Sequence, residues 1–272
     1  MAWNFLRAGQ SAEHVQRSTQ GLRRDLSAVK AAGTDPTVAA HCYLMWVEAA
    51  ESMLRSLYSD QLIPRHLQSD RYWRIREIAD GTPRPFPLIY AEVDEQLAFV
   101  DELLSQLTHY TELMQGGSDE LAILLDTNVL VHGTSIEMVK WHTEFGAQSA
   151  TLIIPVVVID ELDRLKDGKE RKARTPLNAI DKLLKPSNAL TRTTIRPKVT
   201  LQVIDEPPNH ERSARVDDEI VRQAAYLATL AGRELLLLTR DRGMRVRAET
   251  ADIRVQMLPA HLERSKDGSD DQ

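Results

Sequence analysis

The chain has 272 residues, more than the roughly 100–200 of a common domain, so two domains are expected. At 42% hydrophobic and 27% charged it has a globular make-up, and no run approaches the ~18 apolar residues of a membrane span. A net charge of −6 excludes a uniformly basic nucleic-acid binder, and one cysteine, Cys42, excludes an internal disulfide and a cysteine-based zinc site.

The opening "MAWNFLRAGQ" lacks the apolar core of a signal peptide, which implies a cytoplasmic protein, and Cys42 reads as a small buried side chain. Residues 1–115 read as a helical domain. In "DPTVAAHCYLMWVEAAESMLRSLYSDQL", Asp35 is placed to cap and Pro36 to open a helix, with Val38, Tyr43, Trp46, Val47, Ala50 and Leu54 on roughly one face. "SDRYWRIREIADG" and "PLIYAEVDEQLAFVDELLSQLTHYTELM" continue the helical period across the breaker-rich "GTPRPFP". In "DRYWRIR", Tyr72 and Trp73 stand among Arg71, Arg74 and Arg76; aromatics with arginines can stack bases, although helix core is the favoured reading for Trp73.

"QGGSDE" then marks a linker at 116–120, and from 121 to 262 the period changes. "LAILLD", "TLIIPVVVID", "KVTLQVID" and "RELLLLTRD" are short apolar runs separated by amphipathic segments, and "DIRVQML" could add a last strand. This alternation predicts an α/β fold, a parallel sheet flanked by helices, preceded by the all-α domain. Residues 263–272, "ERSKDGSDDQ", read as a disordered tail.

The first run, "LAILLDTNVLVHG", ends on Asp126, followed at once by Thr127 and Asn128. Asp-Thr-Asn is helix-capping material, so Asp126 could be only an N-cap. Ligands of open α/β sheets, however, bind beyond the carboxyl ends of the strands. The pattern also repeats. "VVVIDELDRLKDG" places Glu161 at a helix start one residue after Asp160, and "LLLLTRDRGMRVRA" sets Asp241 just past a strand. "RVDDEIVRQAAYLA" puts Asp217 and Asp218 in the first turn of an amphipathic helix, where the helix dipole already favours acids.

Together these motifs resemble the PIN domain nucleases, of the type whose second motif reads Glu-Leu-Asp-x-Leu-Lys, over roughly residues 120–260. Residues 1–115 resemble no such family. The resemblance implies a PIN-like ribonuclease with four catalytic, metal-binding acids: Asp126, Glu161, Asp217 and Asp241. Asp217 is chosen as the third because it precedes Ile220 by three residues, which leaves Asp218 as an outer neighbour of the ion. Asn128 and Thr239 match the polar residues that accompany the first and fourth acids and position the substrate. Asp160 and Asp163 read as surface positions.

Clustered carboxylates raise one another's pKa, and a divalent cation resolves the conflict. Oxygen ligands without His or Cys favour Mg²⁺ or Mn²⁺, which suits hydrolysis of RNA phosphodiester bonds. A haloacid-dehalogenase-like phosphatase would need a second Asp where Asn128 stands. The remaining alternatives are a non-catalytic PIN scaffold or RNA-binding module and the toxin of a toxin–antitoxin pair, whose members are typically one small domain. His132, His142, His210 and His261 show no metal-ligand spacing. Lys169, Arg171, Lys172 and Arg174, in a basic stretch running from Arg164 to Lys198, are the expected phosphate contacts. The helical domain is the expected site of a protein partner or of self-association, and no membrane partner is implied.

Overall fold

In the computed structural model, which describes residues 6–7, 9–31, 35–78, 83–167, 173–184, 191–207, 210–231 and 234–264, Asp35 does cap a helix. Its carboxylate accepts from Thr37 N–H at 2.8 Å, and Pro36 supplies the first turn. The chain divides into a helical unit within Asn4–Glu112 and an α/β unit within Leu113–Gln272.

The helical unit contains α1 (Ala12–Val29), α2 (Pro36–Leu57), α3 (Leu62–Arg65), α4 (Asp70–Arg76) and α5 (Pro85–Leu113). The buried stripe of α2 is Ala39, Ala40, Tyr43, Trp46, Val47, Ala50, Leu54 and Leu57. Val38 is 45% exposed, because the two alanines, and not the valine, lie in line with Tyr43 and Trp46 one turn later. Cys42 is half-buried rather than sealed in the core. Trp46 Nε1 donates to Leu22 O at 3.0 Å and ties α2 to α1. Glu92 of α5 is fully buried, and it accepts from Tyr43 Oη (3.0 Å), Ser69 Oγ (2.7 Å) and Gln96 Nε2 (2.9 Å). A buried carboxylate needs such donors, so this network fixes where α2, the start of α4 and α5 meet. No helix among the described residues is long and apolar enough to cross a membrane.

The α/β unit contains β1 (Glu120–Leu125), α6 (Thr127–His132), α7 (Trp141–Glu144), β2 (Ser149–Pro155), α8 (Val156–Asp167), α9 (Arg174–Leu184), β3 (Thr193–Arg196), β4 (Val199–Ile204), α10 (Val216–Leu230), β5 (Leu235–Thr239), α11 (Arg242–Thr250) and β6 (Val255–Met257). The described strands form one six-stranded sheet in the order β3-β4-β2-β1-β5-β6, parallel except for the β3–β4 edge pair. β1 lies between β2 and β5, and Ala122 to Leu125 are wholly buried, which explains an uninterrupted apolar run in place of an alternating one.

Two features depart from the sequence reading. The run "TLIIPVVVID" is not one element: β2 stops at Pro155, and α8 starts at Val156. Glu161 therefore lies well inside α8 and does not open it. Val157, Val158 and Leu162 are buried at helical spacing, but a short apolar run looks alike in a buried strand and a buried helix. The edge strand β3 is the second, since "TTIR" is only partly buried and carries no apolar run to announce it. Of the expected tail, residues 265–272 lie outside the described residues, while Arg264 N donates to His132 O at 2.8 Å and Glu263 pairs with Arg240 at 2.9 Å.

Candidate active site

Along this sheet the chain moves from β1 outward to β2 and β4, then returns to the other side of β1 to form β5. The strand order thus reverses between β1 and β5, and a ligand crevice is expected at their carboxyl ends. Asp126 follows β1 there, and Thr239 ends β5.

Asp126 stands at the N-cap position of α6 with extended backbone (φ −78°, ψ 153°), yet its side chain makes no capping hydrogen bond. It is 1% exposed, and its Oδ2 accepts from Thr239 Oγ1 at 2.8 Å. Thr239 Oγ1 in turn accepts from Asp241 N–H at 2.9 Å, which links the ends of β1 and β5. Burial pushes the Asp126 carboxyl up to about 6, and the negative charges of Asp217 and Glu161 add to this. The Thr239 hydroxyl and the nearby Asn128 N–H oppose it. The cap reading belongs instead to Asp241, whose Oδ1 accepts from Met244 N–H of α11 at 2.8 Å.

Glu161 is brought to the same edge by α8, where Thr127 Oγ1 donates to its Oε2 at 2.5 Å. Asp217 and Asp218 lie in the first turn of α10, and Arg247 of α11 holds both. Its Nη2 donates to Asp217 Oδ2 at 2.7 Å, and its Nε lies 3.2 Å from Asp218 Oδ1. Of the two, Asp217 is the one whose charge is felt by Asp126.

Glu161 and Asp217 are thus each within electrostatic reach of Asp126 at the switch point, whereas Asp241 is engaged in its cap. Among the described residues, no three acids, histidines or cysteines converge closely enough to hold a metal ion. Each acid around Asp126 has another partner: Thr127 holds Glu161, Arg247 holds Asp217, and the N-terminus of α11 holds Asp241. Asn128 is partly exposed beside Asp126. Asp160 pairs with Arg212 at 2.7 Å and Asp163 with Lys166 at 2.9 Å.

The basic stretch is reshaped by its contacts. Lys169, Arg171 and Lys172 lie outside the described residues, and Arg174 is exposed at the start of α9. Arg192 is engaged internally, donating to Gln115 O at 2.6 Å and Leu113 O at 3.2 Å, and Arg196 donates to Glu137 O at 3.1 Å.

Sequence reasoning missed Glu219. Next to two partly exposed aspartates, it is wholly buried, with His210 Nε2 at 2.8 Å, Ser213 N–H donating at 2.9 Å and Gln223 Nε2 at 3.1 Å. Arg212 extends this support by bridging Glu206 (2.8 Å) and Asp160, so the segment before α10 is fastened to both α8 and α10. The one available signal was spacing, since Glu219 and Gln223 are four apart beside the buried Ile220 and Ala224. We expect Glu219→Ala to lower stability by about 2–3 kcal/mol by stranding buried donors, among them Ser213 N–H. Urea unfolding checks this, with a lower midpoint at unchanged slope as the expected result.

Comparison with known proteins places this architecture. A family model described as PIN domain matches residues 123–258, half of the chain. Among solved structures, "a domain of a functionally unknown protein from Methanocaldococcus jannaschii DSM 2661" shares 20% identity over 53% of this chain and 96% of that one, with a TM-score of 0.35. The search of curated proteins found no match. With a doubly wound sheet whose switch point is flanked by Asp126 and Thr239, and a family match spanning β1 to β6, the chain belongs to the PIN domain family.

Proposed function

We propose that the α/β unit is a ribonuclease that hydrolyses RNA phosphodiester bonds with a Mg²⁺ or Mn²⁺ ion held by carboxylates. The PIN domain is a nuclease-type fold. The observation that carries the reading is Asp126, a carboxylate fully buried at the switch point and facing the charges of Asp217 and Glu161. A buried like-charged group is unfavourable by itself, and it fits a hard divalent cation that oxygen donors would hold.

In this reading Asp126, Asp217 and Asp241 would hold the ion, and Glu161 would hold it or a water beside it. When bound, the ion would lower the pKa of a coordinated water and offset charge on the scissile phosphate. Thr239 keeps the Asp126 carboxylate turned into the site, and Thr127 fixes Glu161 through Oε2, leaving Oε1 to accept a proton from the attacking water. Asp217 must exchange Arg247 for the ion, and Asp241 can offer Oδ2 while Oδ1 caps α11. Asn128 positions the substrate, Thr239, expected to do the same, is wholly buried and acts on it only through Asp126, and Arg174 with Lys169, Arg171 and Lys172 supplies phosphate contacts. RNA is preferred to DNA on the family resemblance.

The test is incubation of the purified chain with labelled RNA and DNA in Mn²⁺, Mg²⁺ or EDTA. Cleavage of RNA with either metal and none in EDTA is expected. No cleavage under any condition would leave a scaffold. Cleavage that persists in EDTA would remove the metal from the mechanism.

A further inference from the structure

The motif "DRYWRIR" has no part in the site at the switch point, and its Trp73 is not placed as a helix core would place it. In α4, Tyr72 and Ile75 face inward, but Trp73 is 50% exposed. An indole left half in water offers a large flat ring at the surface, with an apolar body and a polar N–H. The ring is also held in place. Tyr72 packs edge-on against it with centroids 5.0 Å apart, and the Arg76 guanidinium lies over its face at 5.3 Å.

Beside it, Arg71 and Arg74 share the next face of α4, three residues apart, and with Arg84 they line an open cleft of about 690 Å³ between α4 and the start of α5. Arg71 is neutralised by Glu92 and Glu95. Arg74 and Arg84 are exposed and have no carboxylate partner among the described residues. Arg84 adopts a left-handed backbone (φ 50°) between Pro83 and Pro85, a conformation costly for a residue with a side chain. Among the described residues Glu77 is the acid lining the cleft and Glu92 and Glu95 are taken up by Arg71, which leaves the two guanidinium groups of Arg74 and Arg84 facing one carboxylate.

We infer that this face of the helical unit binds single-stranded RNA, with a base stacked on Trp73 and the backbone phosphates held by Arg74 and Arg84. A rigid exposed aromatic beside unpaired guanidinium groups offers stacking and charge together, which a single strand uses and a duplex, its bases already stacked, does not. An acidic protein face would pair with the same two arginines, and the two occupants differ in whether RNA itself binds here and quenches Trp73. The inference goes beyond the hydrolytic reading and does not depend on it.

The experiment measures binding of a fluorescent single-stranded RNA to the full chain in EDTA, so that cleavage cannot intrude. Trp73→Ala should weaken binding on the order of tenfold. Arg74→Gln with Arg84→Gln should flatten the slope of log affinity against log salt by roughly 1.4, about 0.7 per lost contact. The same charge change at Arg17 and Arg24 of α1 should leave the slope unchanged. RNA should quench tryptophan fluorescence in the parent but far less in Trp73→Phe, and duplex RNA should compete poorly. Parent-like affinity and slope in both patch variants would overturn the inference, and the surface would then be one for protein. Loss of binding in these variants, from a parent chain that cleaves RNA under none of the metal conditions, would uphold it while removing the nuclease reading.

Discussion

Asp126→Asn is expected to abolish metal-dependent cleavage while making the metal-free protein more stable. The amide keeps the size of the side chain and an oxygen to accept from Thr239, but removes a buried charge that faces Asp217 and Glu161. If Asp126 holds the ion, losing it removes several kcal/mol of charge stabilisation, and cleavage should fall roughly a thousandfold or more. The stability effect has a defined sign. The carboxyl titrates at about 6 in the fold, above its ordinary value near 4, so folding favours the protonated form. The stability this provides is fully present below pH ~4 and is lost as pH rises through 6. The amide cannot ionise, so the advantage of the variant should be small at pH 4 and grow to about 3 kcal/mol above pH 7. Urea unfolding of both proteins in EDTA from pH 4 to 8 measures it. Added Mn²⁺ should stabilise the parent more as pH rises, because the ion displaces a proton from Asp126. A variant that cleaves like the parent would leave Asp126 without a role in catalysis.

The second large effect separates two neighbours. Asp217→Asn is expected to cut cleavage by about a hundredfold or more, and Asp218→Asn by less than about tenfold. Both aspartates rest on Arg247, so neither salt bridge distinguishes them. The difference is direction: successive helical residues point about 100° apart, and Asp217 is the one whose charge reaches Asp126. Because both side chains are partly exposed, with 30% and 40% accessible, either amide should fold normally. The measurement is the cleavage rate of both variants saturated with Mn²⁺, beside the Mn²⁺ concentration that gives half of the thermal shift. The opposite ranking in both would make Asp218 the ligand.

Much of the α/β unit could be read from residue order. Four-to-six-residue apolar runs ending in acids are what parallel strands buried on both faces produce, and β1 and β5 emerged where "LAILLD" and "ELLLLT" stand. The stripe Ile220, Ala224, Leu227 of α10 is wholly buried, as its spacing required. Such features are local, since one period and one face suffice to express them.

The remaining features depended on neighbours distant in the chain. Whether "VVVID" continued β2 or opened α8 was settled by the helix packing of Val157, Val158 and Leu162, which a strand would have placed on alternate faces. Asp126 and Asp241 are each acids just after a strand, and by residue type alone either could cap. Asp126 instead meets Thr239 from a strand 113 positions later, while Asp241 meets the first turn of its own helix. In the run Asp217, Asp218, Glu219, all three suit a helix start, yet only the last is buried, because His210 and Ser213 fold back onto it. The sequence by itself determined the buried strands β1, β4 and β5, the acids that follow β1 and β5, and the family. Tertiary structure decided which carboxylate is dry, which one caps and which one a guanidinium holds, because burial and charge pairing are properties of residues brought together by the sheet and not of residues adjacent in the chain.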